Sequence, residues 1–434
     1  MVNLDFIPES ARLAGLGALM KGAGTVTRAL PIPQPTLLVG PGSSRRLGQA
    51  VAAFGHRKLL IVTDSVISRL GLLRGLTEAL SEGGAAHAVF DEITPDAPIP
   101  LIERGIAAYR DHDCDAIVAV GGGSSIDASK AIAVAVANPR KGLRSLAGYF
   151  KGLRTPIPVY AVPTTAGTGS EVTVAAVIAD PERHSKLVIV DTRLVPRMAA
   201  LDPELMTGLP APVTAATGID ALTHAVEAFT GNWATPYTDG LALAAVGMIF
   251  ANLRTACTEG GNLLARENMS LASTYAGMAF TRANVGYVHA IAHQFGGRYH
   301  TPHGLANAIM LPHVLRFSAP SVVPRLATLA TRAGLGQPGD RADALAEAFI
   351  DGVEALNRDI GIPTTLAALR EADIPALAKA ALHEAHTGYP VPRYMNQAEC
   401  EAMIRAALPP AEEPAAKPRR ARAGSSARGR RAST

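Results

Sequence analysis

The stretch AIVAVGGGSSIDASKAIA, residues 116–133, decides the fold class. Ile117, Val118 and Val120 make a short β-branched run. Three glycines follow, and then Ser124, Ser125 and Asp127 open an Ala-rich segment. This pattern predicts a buried strand that turns directly into a helix. Glycines let a backbone approach a ligand closely, and a helix N-terminus offers unpaired N–H groups at a positive dipole end. That combination suits a pyrophosphate. The same turn also occurs as plain structure, with Asp127 and Lys130 as ordinary helix-start and exposed charges. The spacing is not GxGxxG, so the usual dinucleotide fingerprint does not apply.

Working outward, short β-branched runs recur from about Thr36 to Asp202: TLLVG (36–40), KLLIVTD (58–64), HAVFDEI (87–93), PVYAVPTT (158–165) and KLVIVD (186–191). Residues 44–54 and 100–112 have helical spacing between them. Alternating strands and helices predict a mostly parallel sheet covered by helices. AAVIAD, a polar turn and KLVIVD read as a hairpin. After Pro203 the strand-like runs nearly stop. Ala/Leu-rich segments at 215–229, 238–257, 265–283 and 341–358 predict an all-helical second domain. The expected division is a leader over 1–33, an α/β domain over 34–205, a helical domain over 206–408 and a basic tail over 409–434.

Two more segments belong at the edge of the sheet. VPTTAGTGSEVT (162–173) ends a strand in hydroxyls and glycines, and the C-terminal edge of an open α/β sheet is where ligands bind. Asp64 closes the strand LLIVTD. It suits the hydroxyls of an adenosine ribose and would repel a 2′-phosphate. Its plainer reading is a helix N-cap.

The helical half concentrates metal-ligand chemistry. In GIDALTHAVEAF (218–229), Asp220 and His224 are four apart and share a helix face. His289 and His293 repeat that spacing, and His303 follows in a TPHG turn that predicts another helix start. One carboxylate and three imidazoles suit a borderline divalent ion, Fe²⁺ or Zn²⁺. HAIAH lacks the Glu of a zinc-protease HExxH helix, which disfavours a protease.

Composition sets the outer limits. The chain has 434 residues, 48% of them hydrophobic, enough for two or three domains. No apolar run reaches the roughly 18–20 residues of a membrane span. Cys114, Cys257 and Cys400 form neither a disulfide framework nor a metal knuckle, so a reducing cytoplasm is expected. The net charge of +4 is carried by the tail, where seven basic residues stand against Glu412 and Glu413 and leave the body near neutral. Such a Pro/Ala/Arg/Ser-rich end builds no core. Its sharper reading, contact with nucleic acid, comes with no sign of base readout, and no specific nucleic-acid or membrane partner is expected.

In order, GGGSSID..K (121–130), PTTAGTGSEVT (163–173), GIDALTHAVEAF (218–229), AGMAFTRANVGYVHAIAHQFGG (276–297) and HTPHGLANAIMLPHVLRF (300–317) resemble the iron-containing, group III, alcohol dehydrogenases over about residues 36–405. The resemblance implies an N-terminal dinucleotide-binding α/β domain, an all-α C-terminal domain and a metal in the cleft between them, the architecture shared with dehydroquinate synthase-like proteins. It implies Asp220, His224, His289 and His303 as metal ligands. His293 becomes the non-ligand histidine near substrate, a proton relay. Gly122, Gly123, Ser124, Asp127, Thr164, Thr165, Thr168, Lys186 and Leu205 line the cofactor site with Asp64, and Phe280 faces the substrate pocket. The implied reaction is reversible hydride transfer between an alcohol and NAD, giving an aldehyde or ketone, with Fe²⁺ as the metal and Zn²⁺ as the alternative. A metal- and NAD-dependent lyase or cyclase is the rival on the same scaffold. A homodimer or higher homo-oligomer is expected. The chain departs from the family pattern at Arg282, Asn284, Gln294 and His300, none of which removes a metal ligand.

Overall fold

The computed structural model describes residues 15, 16, 20, 22–25, 27, 30–183, 185–337 and 339–410. Nearly all of the expected tail, from residue 411 on, and most of the expected leader lie outside the described residues. Within the leader, Met20 is buried, and its carbonyl accepts a hydrogen bond from Trp233 Nε1 at 2.7 Å.

The N-terminal domain alternates strand and helix. Its elements are β1 (Thr36–Val39), α1 (Ser43–Ala53), β2 (Lys58–Val62), α2 (Ser65–Arg69), α3 (Arg74–Glu82), β3 (Ala86–Phe90), α4 (Ile99–Asp111), β4 (Ala116–Gly121), α5 (Gly123–Ala137), α6 (Leu143–Leu146), β5 (Gly148–Tyr149), β6 (Val159–Pro163), β7 (Ala175–Asp180), β8 (Ser185–Val190) and β9 (Met198–Leu201). Six strands form one sheet in the order β1-β9-β6-β4-β2-β3, and every pairing in it is parallel. A sheet covered on both faces needs strands that are apolar at every position. β2 after Lys58, and β4, meet this: Leu60, Val62 and Ile117 feed one core, while Leu59, Ile61, Val118 and Val120 feed the other.

KLVIVD does not join that sheet. It forms β8 of a separate three-stranded sheet, β5-β8-β7, paired antiparallel with β7 as the hairpin reading expects. β9 has no counterpart among the runs picked out above. Its core, Met-Ala-Ala-Leu, is short and poor in the β-branched residues that mark a strand.

From Ala211 the chain is helical: α7 (Ala211–Thr230), α8 (Pro236–Thr258), α9 (Leu263–Ala283), α10 (Tyr287–Tyr299), α11 (His303–Arg332), α12 (Ala342–Asp359), α13 (Ile374–Gly388) and α14 (Gln397–Arg405). α7 is the central helix, buried without a break from Gly218 to Thr230. α8 is long and apolar enough to cross a membrane by length and composition, contrary to the expectation from apolar runs. Here it packs against α7 and α9, burying Ala242, Ala245, Val246, Ile249 and Leu253. α11 carries Pro312, Pro320 and Pro324 and bends at Val322, the expected result of proline removing helical hydrogen bonds.

Candidate active site and metal centre

Asp220 and His224 lie one turn apart on α7, and His289 projects from α10. One ligand atom from each lies within 4.8 Å of the others, and all three residues are buried. His303, the first residue of α11, brings Nε2 to 3.5 Å from Asp220 Oδ1. The four residues therefore meet, with Asp220, His224 and His289 as the tight group. The rings of His224 and His289 stack at 4.5 Å, and those of His289 and His303 lie 5.3 Å apart.

Burial keeps these imidazoles neutral. Desolvation lowers the pKa of His224 and His289, and pushes His303 down to about 4. A neutral imidazole keeps one lone pair for a metal, and the other nitrogen's hydrogen bond selects which. At His289 that partner is Glu227, whose Oε2 lies 2.6 Å from Nδ1. Glu227 Oε1 also accepts the Val288 N–H at 2.8 Å. Burial, the largest cause, raises its pKa to about 8. Asn307 Nδ2 donates to Asp220 Oδ1 at 2.7 Å and lies 3.3 Å and 3.2 Å from His289 Nε2 and His303 Nε2. A buried set of one carboxylate oxygen and imidazole lone pairs fits a divalent cation.

His293 is beside this group, not within the tight set. Its ring stacks on His303 at 5.2 Å and meets His289 edge-on at 6.1 Å. His293 Nδ1 is 2.6 Å from Glu384 Oε1. Phe280 on α9 stacks on His224 at 4.1 Å. His300 is exposed at the C-terminus of α10 with a left-handed backbone, φ 55°, and it ends the helix. Arg282 Nη2 donates to the Ile32 carbonyl and its guanidinium lies over the Tyr237 ring.

The glycine loops converge as the sheet order requires. β4 and β6 are neighbours, so the turn after each opens at the same edge; Thr164 N–H donates to Gly121 O at 3.0 Å. A Cβ on Gly123 would lie 2.7 Å from Thr168 Cγ2, and one on Gly122 3.4 Å from Thr165 Oγ1. Gly121 has φ 149°, a region closed to most side chains. No side chain caps the N-terminus of α5, which leaves its first N–H groups for an anion. Asp64 follows β2, the next strand over. Its Oδ1 accepts from Val66 and Ile67 N–H, so it is an N-cap, and its Oδ2 faces Gly121.

Other expected cofactor residues sit less directly. Asp127 is buried, with Oδ2 accepting Val177 N–H, and it ties α5 to β7. Ser124 Oγ accepts Asp96 N–H, and Lys186 Nζ pairs with Asp96 Oδ1 at 2.9 Å. Leu205 packs in a partly buried position on one sheet core. The two halves of the site join at Gly167 to Gly169. A Cβ on Gly167 would strike Thr217 of α7, and one on Gly169 would strike Gly277 of α9.

Sequence reasoning missed Glu227, Asn307 and Glu384. The first two carried a signal. Glu227 lies three residues after His224 and Asn307 four after His303, each on its ligand's helix face. Glu384 is 91 residues from His293 and had none.

Known proteins resemble this chain along most of its length. Residues 34–203 match the family model described as iron-containing alcohol dehydrogenase, and residues 214–408 match that of the family's C-terminal part. The chain is similar to a 1,3-propanediol dehydrogenase of Klebsiella pneumoniae, 43% identical over 85% of this chain and 96% of that one. It is 38% identical to an NAD-dependent methanol dehydrogenase of Bacillus methanolicus, over 81% and 93% of the two chains. A solved 1,3-propanediol oxidoreductase superposes with a TM-score of 0.83 at 40% identity, covering 87% of this chain and all of that one.

Proposed function

The chain belongs to the iron-containing alcohol dehydrogenase family, and from that premise we propose that it interconverts a small primary alcohol or diol with its aldehyde, using NAD and a divalent iron held by Asp220, His224, His289 and His303. The observation that carries this reading is the buried convergence of Asp220, His224 and His289 beside a loop whose other end closes over the α5 N-terminus.

Iron, when bound there, supplies a Lewis acid that lowers the pKa of an alcohol hydroxyl. NAD supplies the hydride acceptor. The chain's own residues do the rest. Glu227 holds His289 with its Nε2 lone pair toward the group. Gly122, Gly123 and Ser124 at the start of α5 offer backbone N–H groups to the pyrophosphate, with Thr164, Thr165 and Thr168 beside them. Asp64 Oδ2 accepts from a ribose hydroxyl. Asp127, Lys186 and Leu205 act by shaping that site. Phe280, stacked on His224, supplies an apolar wall and excludes water. His293 holds or passes the proton at Nε2, because Nδ1 is engaged by Glu384. Zn²⁺ fits the same donor set and remains the alternative metal. The domains follow the same reading, 34–205 for the dinucleotide and 206–408 for the metal, in a cytoplasmic homo-oligomer. The lyase or cyclase rival is set aside, since the matched relatives are dehydrogenases.

The test is turnover on short, long-chain, diol and hydroxy-acid substrates with NAD⁺ and NADP⁺, after reconstitution with Fe²⁺ or Zn²⁺. The reading expects NADH formed in step with a short alcohol or diol and dependent on the metal. Turnover without net NADH would overturn it.

A further inference from the structure

The carboxylate of Glu384 is the one acidic group of α13 that reaches the site. Its Oε1 lies 2.6 Å from His293 Nδ1 and accepts the Tyr389 hydroxyl at 2.5 Å, while Oε2 accepts Gln294 Nε2 at 2.9 Å. Three donors from two parts of the chain thus fix both oxygens. Asn284 ties the same region down: its Nδ2 donates to the Gly388 carbonyl at 2.9 Å.

We propose that Glu384 is a positioning residue for His293: it accepts the Nδ1–H, selects that tautomer and holds the ring so that Nε2 is the atom that exchanges protons at the alcohol oxygen. A neutral imidazole carries one N–H, so a carboxylate on Nδ1 leaves the lone pair on Nε2. The ring is then held on its other sides by the face of His303 and the edge of His289. Carboxylate–imidazole pairs of this kind set orientation and tautomer without the carboxylate taking the proton. Gln294 and Tyr389 keep Glu384 from rotating away. This rests on the reading of His293 given above.

The experiment compares Glu384→Gln, Glu384→Asp, His293→Ala and the double variant Glu384→Gln/His293→Ala as reconstituted holoenzymes. Metal content, melting temperature, kcat and KM for NAD⁺ are measured for each, together with the histidine ¹⁵N shifts of zinc-loaded protein. Glu384→Gln is expected to lose about 10²-fold in kcat with unchanged metal content and KM for NAD⁺, because the Gln amide can present N–H to Nδ1 and reverse the tautomer. Glu384→Asp recovers part of that loss. The double variant is no slower than His293→Ala. The ¹⁵N shifts place the proton on Nδ1 in the parent and on Nε2 in Glu384→Gln. Losses that multiply in the double variant, or a His293 tautomer indifferent to Glu384, overturn the proposal. Failure of the underlying reading looks different: His293→Ala would turn over at full speed while the tautomer still followed Glu384.

Discussion

At His289 two nitrogens do different work. Nδ1 faces Glu227 Oε2 at 2.6 Å and Nε2 faces Asp220 and Asn307. Replacing His289 with Ala removes a ligand from the tight group, so the variant should lose its metal and nearly all turnover while its circular dichroism stays that of the parent. Full metal occupancy in His289→Ala would break the ligand assignment. Glu227→Gln keeps the shape but can turn an amide N–H toward His289 Nδ1 in place of an acceptor oxygen, and outer-shell partners of metal-bound histidines typically carry 10–100-fold in affinity. Competition with a chelator should show a loss in that range. The pH dependence follows from the same burial. Desolvation lowers His303 to about 4, so its lone pair is free through the neutral range, and protons compete only as pH falls toward that value. Metal retention should therefore persist below the ordinary imidazole value of about 6.5; release with a midpoint near 6.5 would contradict it. Asp64 is the residue proposed to decide between dinucleotides. Its Oδ1 is spent on the start of α2, and a 2′-phosphate placed beside it would still meet a like charge. NAD should be preferred, and Asp64→Gly should narrow the kcat/KM ratio between NAD and NADP. An unchanged ratio would move the assignment to another residue.

At the scale of elements, the site depends on two glycine turns fitting against each other. Gly123→Ala would put a methyl 2.7 Å from Thr168 Cγ2, and overpacking of this kind costs about 1–3 kcal/mol. The variant should bind NAD roughly tenfold more weakly while keeping its metal; equal affinity would mean that the turn is structural. These elements were readable in advance because their chemistry is local. β2 after Lys58 and β4 up to Gly121 are continuous apolar runs, the Gly-Gly-Gly turn ends β4, and Asp220 with His224 shares one helix face. β9 was not readable, because two alanines carry no strand preference and its place between β1 and β6 is set by distant partners. KLVIVD looked like a strand of the main sheet and was one of another, since local pattern fixes a strand but not its neighbours. Among site residues the same limit applies. Glu384 lies on a separate helix, and only packing α13 against α10 brings it to His293.

In the whole molecule, each domain supplies half of a site. The α/β half presents the N-terminus of α5 and the helical half presents the ligand cluster, with Gly167 and Gly169 wedged against α7 and α9 between them. A metal held by Asp220, His224, His289 and His303 would tie α7, α10 and α11 together, so holoenzyme should outlast stripped protein. A ligand at 1,000 times its Kd adds about 4 kcal/mol to stability, and chelation should lower the melting temperature, reversibly on adding Fe²⁺. The central claim is that one metal ion sits among Asp220, His224, His289 and His303. Anomalous X-ray diffraction at the iron edge, from crystals of the Fe²⁺-reconstituted chain, tests it most directly. The account predicts a single strong peak within coordination distance of Asp220, His224 and His289, with His303 closing the set. A peak elsewhere, or none in protein that turns over alcohol, would contradict it.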